Sequence, residues 1–380
     1  MVINKLIRLS KSNISNKEIV AVKKVLKLGF LGMGQQVKLF ENKLSTFFKR
    51  KVVCFNSGTA AIHVALQSCG IGRGDEVLVP SITYVATFQA ISASGAKPVC
   101  CDINQNNLHI SLKDIKKKIT SKTKAIIPVH IAGYSENLSE IYKFAKKKNL
   151  RVIEDAAHAF GSKYKKKLIG SFGDIACFSF DGIKNITSGE GGCLVSRDKK
   201  IIKNAKDIRL LGVKNDTEKR YSGHRSWITD VEQQGWRYHM SDINAAIGIA
   251  QFKRFKNLSK KRRLLCKVYD ERFKYSKIIS YFDIDYNITC PHIYIIRIQN
   301  LKKREDLRKV LIKKNIQTGI HYYPNYKYKK FKESNHKFPN TEKIYKEILT
   351  LPLHPELNKK TIKYISDEVI NLTKKKAFFK

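Results

Sequence analysis

The chain has 380 residues, enough for about two or three domains, and its 74 Lys and Arg against 32 Asp and Glu give a formal net charge of +42. A hydrophobic share of 42% excludes general disorder, and 21 Gly with 8 Pro exclude a collagenous chain. The basic residues lie in short runs along the whole chain, and such runs usually belong to solvent-exposed surfaces. Binding to an anionic ligand, a lipid surface or nucleic acid stays open.

Cysteine usage and hydropathy predict a cytoplasmic location. None of the eight cysteines forms a C-x-x-C pair, and most lie in apolar runs, which is typical of core thiols in a reducing compartment. An apolar signal core is absent near the start, and no apolar run reaches about 18 residues, so we expect neither secretion nor a membrane span. No metal site is predicted, because no H-E-x-x-H or Cys/His ligand spacing occurs.

The first elements are two amphipathic helices. Ser15 and Glu18 have the spacing of a capping box, and apolar residues then recur at helical intervals as far as Gly29, which would end the helix. Residues 35–48 show a second helical pattern.

Short apolar runs then alternate with helical patterns. Strands are predicted at 52–55, 76–79, 98–101, 125–129, 151–153 and 175–180, and helices at 60–69, 86–93, 112–118 and 138–147. This alternation is typical of an α/β fold with a mostly parallel central sheet covered on both faces. Ligands bind at the carboxyl ends of the strands of such sheets.

The last third predicts a second, smaller unit. Residues 242–255 read as another helix, the chain beyond them is more basic, and the isoleucine-rich segment 293–298 predicts a strand. We therefore predict a large domain over 1–255 and a smaller α+β domain over 256–380, with the option that helix 15–28 packs on the smaller domain.

Polar residues follow three of the predicted strands. The first group, Asn56-Ser57-Gly58-Thr59, opens a helix where backbone N–H groups suit a phosphate, although such a segment alone is more often a plain helix cap. In the second, Glu154-Asp155 ends a strand and His158 follows. A carboxylate there would stabilise a protonated pyridine nitrogen, but a helix cap is the simpler interpretation.

The third group is the segment 179–192, Ser-Phe-Asp-Gly-Ile-Lys-Asn-Ile-Thr-Ser-Gly-Glu-Gly-Gly. Lys184 lies between an apolar strand and a glycine-rich turn. A lysine amine forms a Schiff base when its surroundings lower its pKa. In a chain this rich in lysine, the position of Lys184 is informative only in combination with the first two polar segments.

Together the three segments resemble the DegT/DnrJ/EryC1/StrS family of pyridoxal-phosphate-dependent sugar aminotransferases. The resemblance covers residues from about 8 to about 360, and the segment 179–192 is its most specific part. Further matching landmarks are the segments 80–87, 235–242 and 351–355. The resemblance implies a fold of the aspartate aminotransferase type (fold type I) and pyridoxal 5'-phosphate as cofactor.

The resemblance also implies roles for individual residues. Lys184 matches the lysine that holds the cofactor covalently and shuttles a proton, and Asp155 matches the carboxylate that pairs with the pyridine nitrogen. His158 falls near the cofactor's 3'-oxygen, and Tyr84 falls where an aromatic ring stacks on the cofactor.

The phosphate cradle is matched by Gly58, Thr59 and Ser179. In the family the partner subunit closes this site, often with an asparagine from the segment that corresponds to 235–240. Here that segment contains Arg237 and His239, either of which can bind phosphate. His321, Tyr322 and Tyr323 fall where sugar-nucleotide contacts gather in the family.

The implied function is transfer of an amino group from L-glutamate to a nucleotide-linked keto-sugar. The expected acceptor is a 4-keto-6-deoxyhexose, the expected assembly is a homodimer with shared sites, and the product would enter surface polysaccharide or lipopolysaccharide biosynthesis. Two alternatives remain. One is a dehydratase or regulator that has lost transamination, against which the intact lysine argues. The other is a basic binder of nucleic acid or membrane surfaces, for which no binding motif is present.

Overall fold

The computed structural model describes residues 5–223, 229–332 and 337–379, and its centre is a seven-stranded sheet. The strands of the chain are β1 (Lys51–Phe55), β2 (Glu76–Pro80), β3 (Lys97–Cys101), β4 (Thr123–Ile126), β5 (Arg151–Asp155), β6 (Lys163–Tyr164), β7 (Lys167–Leu168), β8 (Ile175–Ser179), β9 (Gly192–Ser196), β10 (Ile279–Tyr281), β11 (Tyr294–Ile298) and β12 (Ile348–Leu351). In the central sheet the order is β1-β9-β8-β5-β4-β2-β3.

Parallel pairing dominates this sheet, as predicted. Strands β8, β5, β4, β2 and β3 pair in parallel, whereas β9 runs antiparallel to both β8 and β1. Since β1 and β8 are both antiparallel to β9, β1 runs in the same direction as the parallel strands. The carboxyl ends of β1, β5 and β8 therefore lie at one edge of the sheet, where the three polar segments follow them.

Helices cover the sheet and continue into the second unit. They are α1 (Asn16–Leu28), α2 (Gln35–Phe48), α3 (Gly58–Ser68), α4 (Val85–Ala93), α5 (Leu112–Lys118), α6 (Leu138–Lys147), α7 (Lys199–Ile208), α8 (Asp216–Tyr221), α9 (Asp242–Phe273), α10 (Arg304–Lys313), α11 (Pro339–Glu347) and α12 (Lys359–Thr373). Short 3-10 turns lie at 131–133, 325–327, 329–331 and 376–378. None of the helices in these described ranges has the length and apolar character that crossing a bilayer requires.

The predicted start of α1 is confirmed in detail. Glu18 accepts a hydrogen bond of 2.7 Å from the Ser15 backbone N–H, and the Ser15 side chain caps the first turn. The helix ends at Gly29, whose φ of 70° lies in the left-handed region that glycine adopts without strain. The boundaries of α2, α5 and α6 also agree with the sequence pattern.

Two predicted elements differ from the structure by three residues or more at one end. The helix predicted to end at Phe255 continues to Phe273, because buried side chains such as Leu265 and Tyr269 keep the helical period among many lysines and arginines. The strand predicted to reach Val129 ends at Ile126, and beyond it only an isolated bridge joins Val129 to Asp155. Strand β9 and helix α7 were not predicted.

A three-stranded antiparallel sheet, β10-β11-β12, forms a second core with α9, α10 and α12. The division between 255 and 256 falls inside α9, whose first half packs on the central sheet and whose second half packs on this second core. Helix α1 reaches α9 through Glu18, which accepts hydrogen bonds from Gln251 and Arg254. The domain division, including the placement of helix 15–28, stays a prediction.

Candidate active site

A cavity of about 440 Å³ opens at the carboxyl ends of the central strands. It brings together seven of the nine residues for which the sequence implied cofactor contact, although they come from four separate segments. These seven are Gly58, Thr59, Tyr84, Asp155, His158, Ser179 and Lys184. Their individual roles stay predictions, but their convergence is a property of the fold.

Asp155 is the last residue of β5, and its buried carboxylate is held from two sides. The Thr87 hydroxyl donates a hydrogen bond of 2.7 Å to Oδ2, and the backbone N–H of Ala157 donates one of 3.1 Å to Oδ1. Thr87 is in turn within 3.0 Å of the Thr83 hydroxyl. The two hydrogen bonds thus fix the orientation of the carboxylate, and Asp155 borders the cavity.

The start of α3 forms the floor beside Ser179. Ser57 caps the helix by accepting a hydrogen bond of 3.1 Å from Ala60 N–H, so the N–H groups of Gly58 and Thr59 are the first in the helix. A Cβ on Gly58 would lie 2.9 Å from Ser179 Cβ. Only glycine therefore lets α3 approach the end of β8 this closely, and the junction offers backbone N–H groups and a hydroxyl to an anion.

Lys184 lies in the loop between β8 and β9. The loop is closed by two backbone hydrogen bonds of 2.8 Å, from Phe180 N–H to Gly191 O and from Ser188 N–H to Phe180 O. Burial lowers the pKa of the Lys184 amine, and the charge of Arg262 lowers it further, whereas Asp181 and Asp155 oppose this shift. A lowered pKa leaves a larger fraction of the amine unprotonated near neutral pH, and only the unprotonated amine acts as a nucleophile or base.

His158 faces the cavity with one ring nitrogen already engaged. Its Nε2 lies 2.9 Å from the Tyr322 hydroxyl, and its ring centroid lies 4.3 Å from that of His292. Burial, together with the charges of Lys184 and His321, holds the His158 pKa well below its usual value, so the ring is neutral near pH 7. Within the part of the chain that the structure describes, His158 Nδ1 is buried and has no hydrogen-bond partner.

Two residues from the segment between α10 and α11 complete the wall. His321 Nδ1 lies 2.9 Å from the Thr350 hydroxyl, and burial with the nearby Lys184 lowers the His321 pKa to about 4. Tyr322 joins Tyr84 across the opening, with ring centroids 5.7 Å apart. Tyr323 packs against Tyr328 and does not border the cavity, and its expected contact with the sugar nucleotide stays a prediction.

Arg237 and His239 lie outside the cavity of their own chain. They form isolated bridges to Leu210 and Phe55, respectively, alongside strand β1. Arg237 is exposed, whereas burial, aided by the charges of nearby arginines, lowers the His239 pKa to about 4. Their expected contact with the phosphate site of a partner subunit stays a prediction.

Several contributors to the site were not predicted from the sequence. Thr87 lies within the landmark segment 80–87, where its spacing of four from Thr83 at a helix start is a usable signal. No sequence signal indicated Arg262 or His292, because both residues reach the site from the second core. Arg262 donates hydrogen bonds to His292 O at 3.0 Å and to Ile183 O at 3.4 Å.

The residues present fit pyridoxal phosphate. The Gly58–Ser179 junction suits its phosphate, the unpartnered His158 Nδ1 suits its ring oxygen, and the Asp155 carboxylate suits its pyridine nitrogen. Lys184 offers the amine that its aldehyde requires. Each of these features is observed in the chain alone, so the fit does not depend on sequence similarity.

Comparison with known proteins points the same way. The model of the DegT/DnrJ/EryC1/StrS aminotransferase family matches residues 12–370. Among curated proteins, the chain is 34% identical to the spore coat polysaccharide biosynthesis protein SpsC of Bacillus subtilis, over 95% of each chain. It is 35% identical to GDP-perosamine synthase of Escherichia coli O157:H7, over 88% of this chain and 90% of the relative.

Among solved structures, Spr1654 of Streptococcus pneumoniae in its PLP form superimposes with a TM-score of 0.90 at 29% identity. The match covers 97% of this chain and 99% of that one. The same protein has also been solved in a PMP form, with the same TM-score.

Proposed function

The chain belongs to the DegT/DnrJ/EryC1/StrS aminotransferase family, and on that premise we propose that it moves an amino group from L-glutamate to a nucleotide-linked 4-keto-6-deoxyhexose. The sugar aminotransferase activity and the use of pyridoxal phosphate follow from the family and from its cofactor-bound neighbours. The sugar, its nucleotide and the amino donor are the proposed part.

The observation that carries the proposal is the placement of Lys184 and Asp155 around one cavity. When bound, pyridoxal phosphate supplies an acceptor for the electrons released as a proton leaves the amino donor. In this chain the Lys184 amine, with its lowered pKa, would take and return that proton. The Asp155 carboxylate, oriented by Thr87, would favour the protonated ring nitrogen.

Two relatives support a sugar-nucleotide acceptor. GDP-perosamine synthase bears a nucleotide sugar in its name, and SpsC is named for polysaccharide biosynthesis. In a cavity of about 440 Å³, the reacting sugar would lie beside the cofactor ring and the nucleotide at the open side. The product would enter surface polysaccharide biosynthesis in the cytoplasm.

Charge balance supports a dimer with shared sites. Among the described residues that line the cavity, Lys184 is the sole Lys or Arg, and His158 and His321 are neutral near pH 7. The cofactor phosphate and a diphosphate bring several negative charges. A partner subunit that contributes Arg237 would supply the missing positive charge.

The direct test is a product assay. The holoenzyme is incubated with L-glutamate and, in turn, dTDP-, UDP- and GDP-linked 4-keto-6-deoxyhexoses, and the products are read by mass spectrometry. We expect replacement of the keto oxygen by an amine on one of them, and none with a Lys184→Ala control. The corresponding 3-keto isomers are tested in parallel. If only a 3-keto isomer is aminated, the proposed position of the new amine at C4 is wrong and C3 is correct.

A further inference from the structure

Glu154, the residue before Asp155, is not used by the proposed chemistry, yet its carboxylate is fully buried. Successive residues of a strand point to opposite faces of the sheet, so Glu154 lies on the face away from Asp155. Burying an ionisable group is costly unless it is paired and hydrogen-bonded. The environment of Glu154 meets that requirement on both oxygens.

The first partner is His130, whose Nε2 lies 2.7 Å from Glu154 Oε2. His130 belongs to a segment, 128–130, that runs beside the end of β5. The backbone N–H of Asp155 donates to Pro128 O at 2.9 Å, and the N–H of His130 donates to Asp155 O at 3.0 Å. Both main-chain groups of Asp155 are therefore bonded to the segment that carries the partner of Glu154.

The second partner is Tyr142 of α6, whose hydroxyl donates to Glu154 Oε1 at 2.5 Å. Burial, with the adjacent carboxylate of Glu154, holds the Tyr142 pKa well above its usual value, so this hydroxyl keeps its proton. The Tyr142 hydroxyl oxygen also accepts a hydrogen bond of 3.1 Å from the backbone N–H of Asp174, which directly precedes β8. Glu154 thus joins α6 and the segment 128–130 to the strand that ends at Asp155.

The packing around this junction leaves little room for adjustment. Gly173 has a φ of +76°, and a Cβ there would lie 2.0 Å from the Tyr142 hydroxyl oxygen and 2.9 Å from Glu154 Oε1. On the other side, Val129 borders the cavity. Movement of the Glu154–His130 pair would therefore be transmitted to the cavity wall and to the backbone of Asp155.

We propose that Glu154 is a positioning residue that acts through His130 to fix the end of β5, so that the Asp155 carboxylate meets the cofactor ring in one orientation. The Asp155 side chain has its own hydrogen bonds from Thr87 and Ala157. Those bonds set the rotation of the carboxylate, whereas the Glu154–His130 pair sets the position of the backbone that carries it.

The test compares Glu154→Ala with Glu154→Gln, in which the amide keeps a hydrogen-bonding group of the same shape. In the holoenzyme we expect Glu154→Ala to lower kcat about 10- to 100-fold with little change in the KM of the amino donor, because small misplacements of reacting groups have effects of this size. Glu154→Gln should recover most of that loss. Glu140→Gln, on the exposed side of α6, is the matched control.

A readout without cofactor separates positioning from general destabilisation. Hydrogen exchange in the cofactor-free protein should accelerate at the amides of His130 and Asp155 in Glu154→Ala. It should stay slow at the amides of β11 in the separate three-stranded sheet. The visible band of the bound cofactor should shift in the same direction as in Asp155→Asn. Tyr142→Phe provides a milder second variant if Glu154→Ala does not fold.

The proposal is overturned if folded Glu154→Ala keeps the kcat, the spectrum and the amide protection of the parent. It is also overturned if only the melting temperature falls, because a purely structural role predicts that outcome. Loss of activity with all sugar acceptors while the exchange pattern follows our expectation would count against the proposed substrate and not against the role of Glu154.

Discussion

The Thr87 hydroxyl donates a hydrogen bond of 2.7 Å to Asp155 Oδ2, across 68 positions of sequence. Thr87 lies in the first turn of α4, after β2, and Asp155 ends β5, so the bond connects two strand ends of the central sheet. It orients the carboxylate at the edge of the cavity, as pairing with a protonated ring nitrogen requires.

This relationship predicts graded effects of two substitutions. Asp155→Asn removes the charge that favours the protonated ring and should lower kcat about 100-fold or more. Thr87→Val keeps the charge but removes one hydrogen bond, worth about 1 kcal/mol, and should lower kcat only several-fold. Steady-state kinetics with a fixed acceptor distinguish the two. A loss for Thr87→Val equal to that for Asp155→Asn would contradict the assigned roles.

The pH dependence of cofactor capture depends on Asp181, which borders the cavity near Lys184. Its carboxylate raises the Lys184 pKa against the lowering effect of burial. Asp181→Asn removes the charge that stabilises the ammonium form, so the amine loses its proton at lower pH. The rate at which the cofactor-free chain takes up pyridoxal phosphate should then rise at lower pH than in the parent. An unchanged profile, or a shift to higher pH, would refute this interpretation.

Shared sites predict recovery of activity in mixed dimers. Lys184→Ala and Arg237→Ala should each be nearly inactive, but when co-expressed with different tags they should restore about a quarter of the sites, since half of the dimers are mixed and each has one intact site. Lys184→Ala with Asp155→Asn is the control. Both of those residues line the cavity of one chain, so no mixed dimer has an intact site. Failure of the first pair to recover would exclude Arg237 from the partner's site.

Stability toward acid depends on His109. Burial, and to a lesser extent His130, lowers the His109 pKa to about 3, whereas the unfolded chain binds this proton near pH 6.5. Between these values the unfolded state holds more protons, so stability falls as the pH falls, by up to about 1.4 kcal/mol per pH unit from this group. His109→Gln should lose about 1–2 kcal/mol less than the parent between pH 7 and pH 5 in urea unfolding. Equal losses would contradict the shift, and measurements at pH 8 provide the reference.

The sequence predicted the fold well, because local patterns determine most of it. The capping box at Ser15, the strand and helix periods, and the glycine-rich loop around Lys184 are each read within a few residues. The end of α9 was missed, since lysines and arginines on its exposed face obscure the buried Leu265 and Tyr269.

Only part of the site was predicted, because only part of it is determined by local sequence patterns. Lys184, Asp155 and Gly58 stand in recognisable segments, but their supports come from distant positions. Tyr322 reaches His158 across 164 residues, and Arg262 reaches the loop of Lys184 from α9. Only the folded chain brings such pairs together, so neither period nor spacing in the sequence indicates them.

We propose that Lys184 and its cavity carry out the first half of an amino transfer from L-glutamate. The most direct measurement is the visible absorbance of the purified chain with pyridoxal phosphate, before and after L-glutamate. We predict a yellow band from the lysine-bound cofactor that L-glutamate bleaches, and loss of that band in Lys184→Ala. A band that L-glutamate leaves unchanged would refute the proposed donor, and one that persists in Lys184→Ala would refute the role of Lys184.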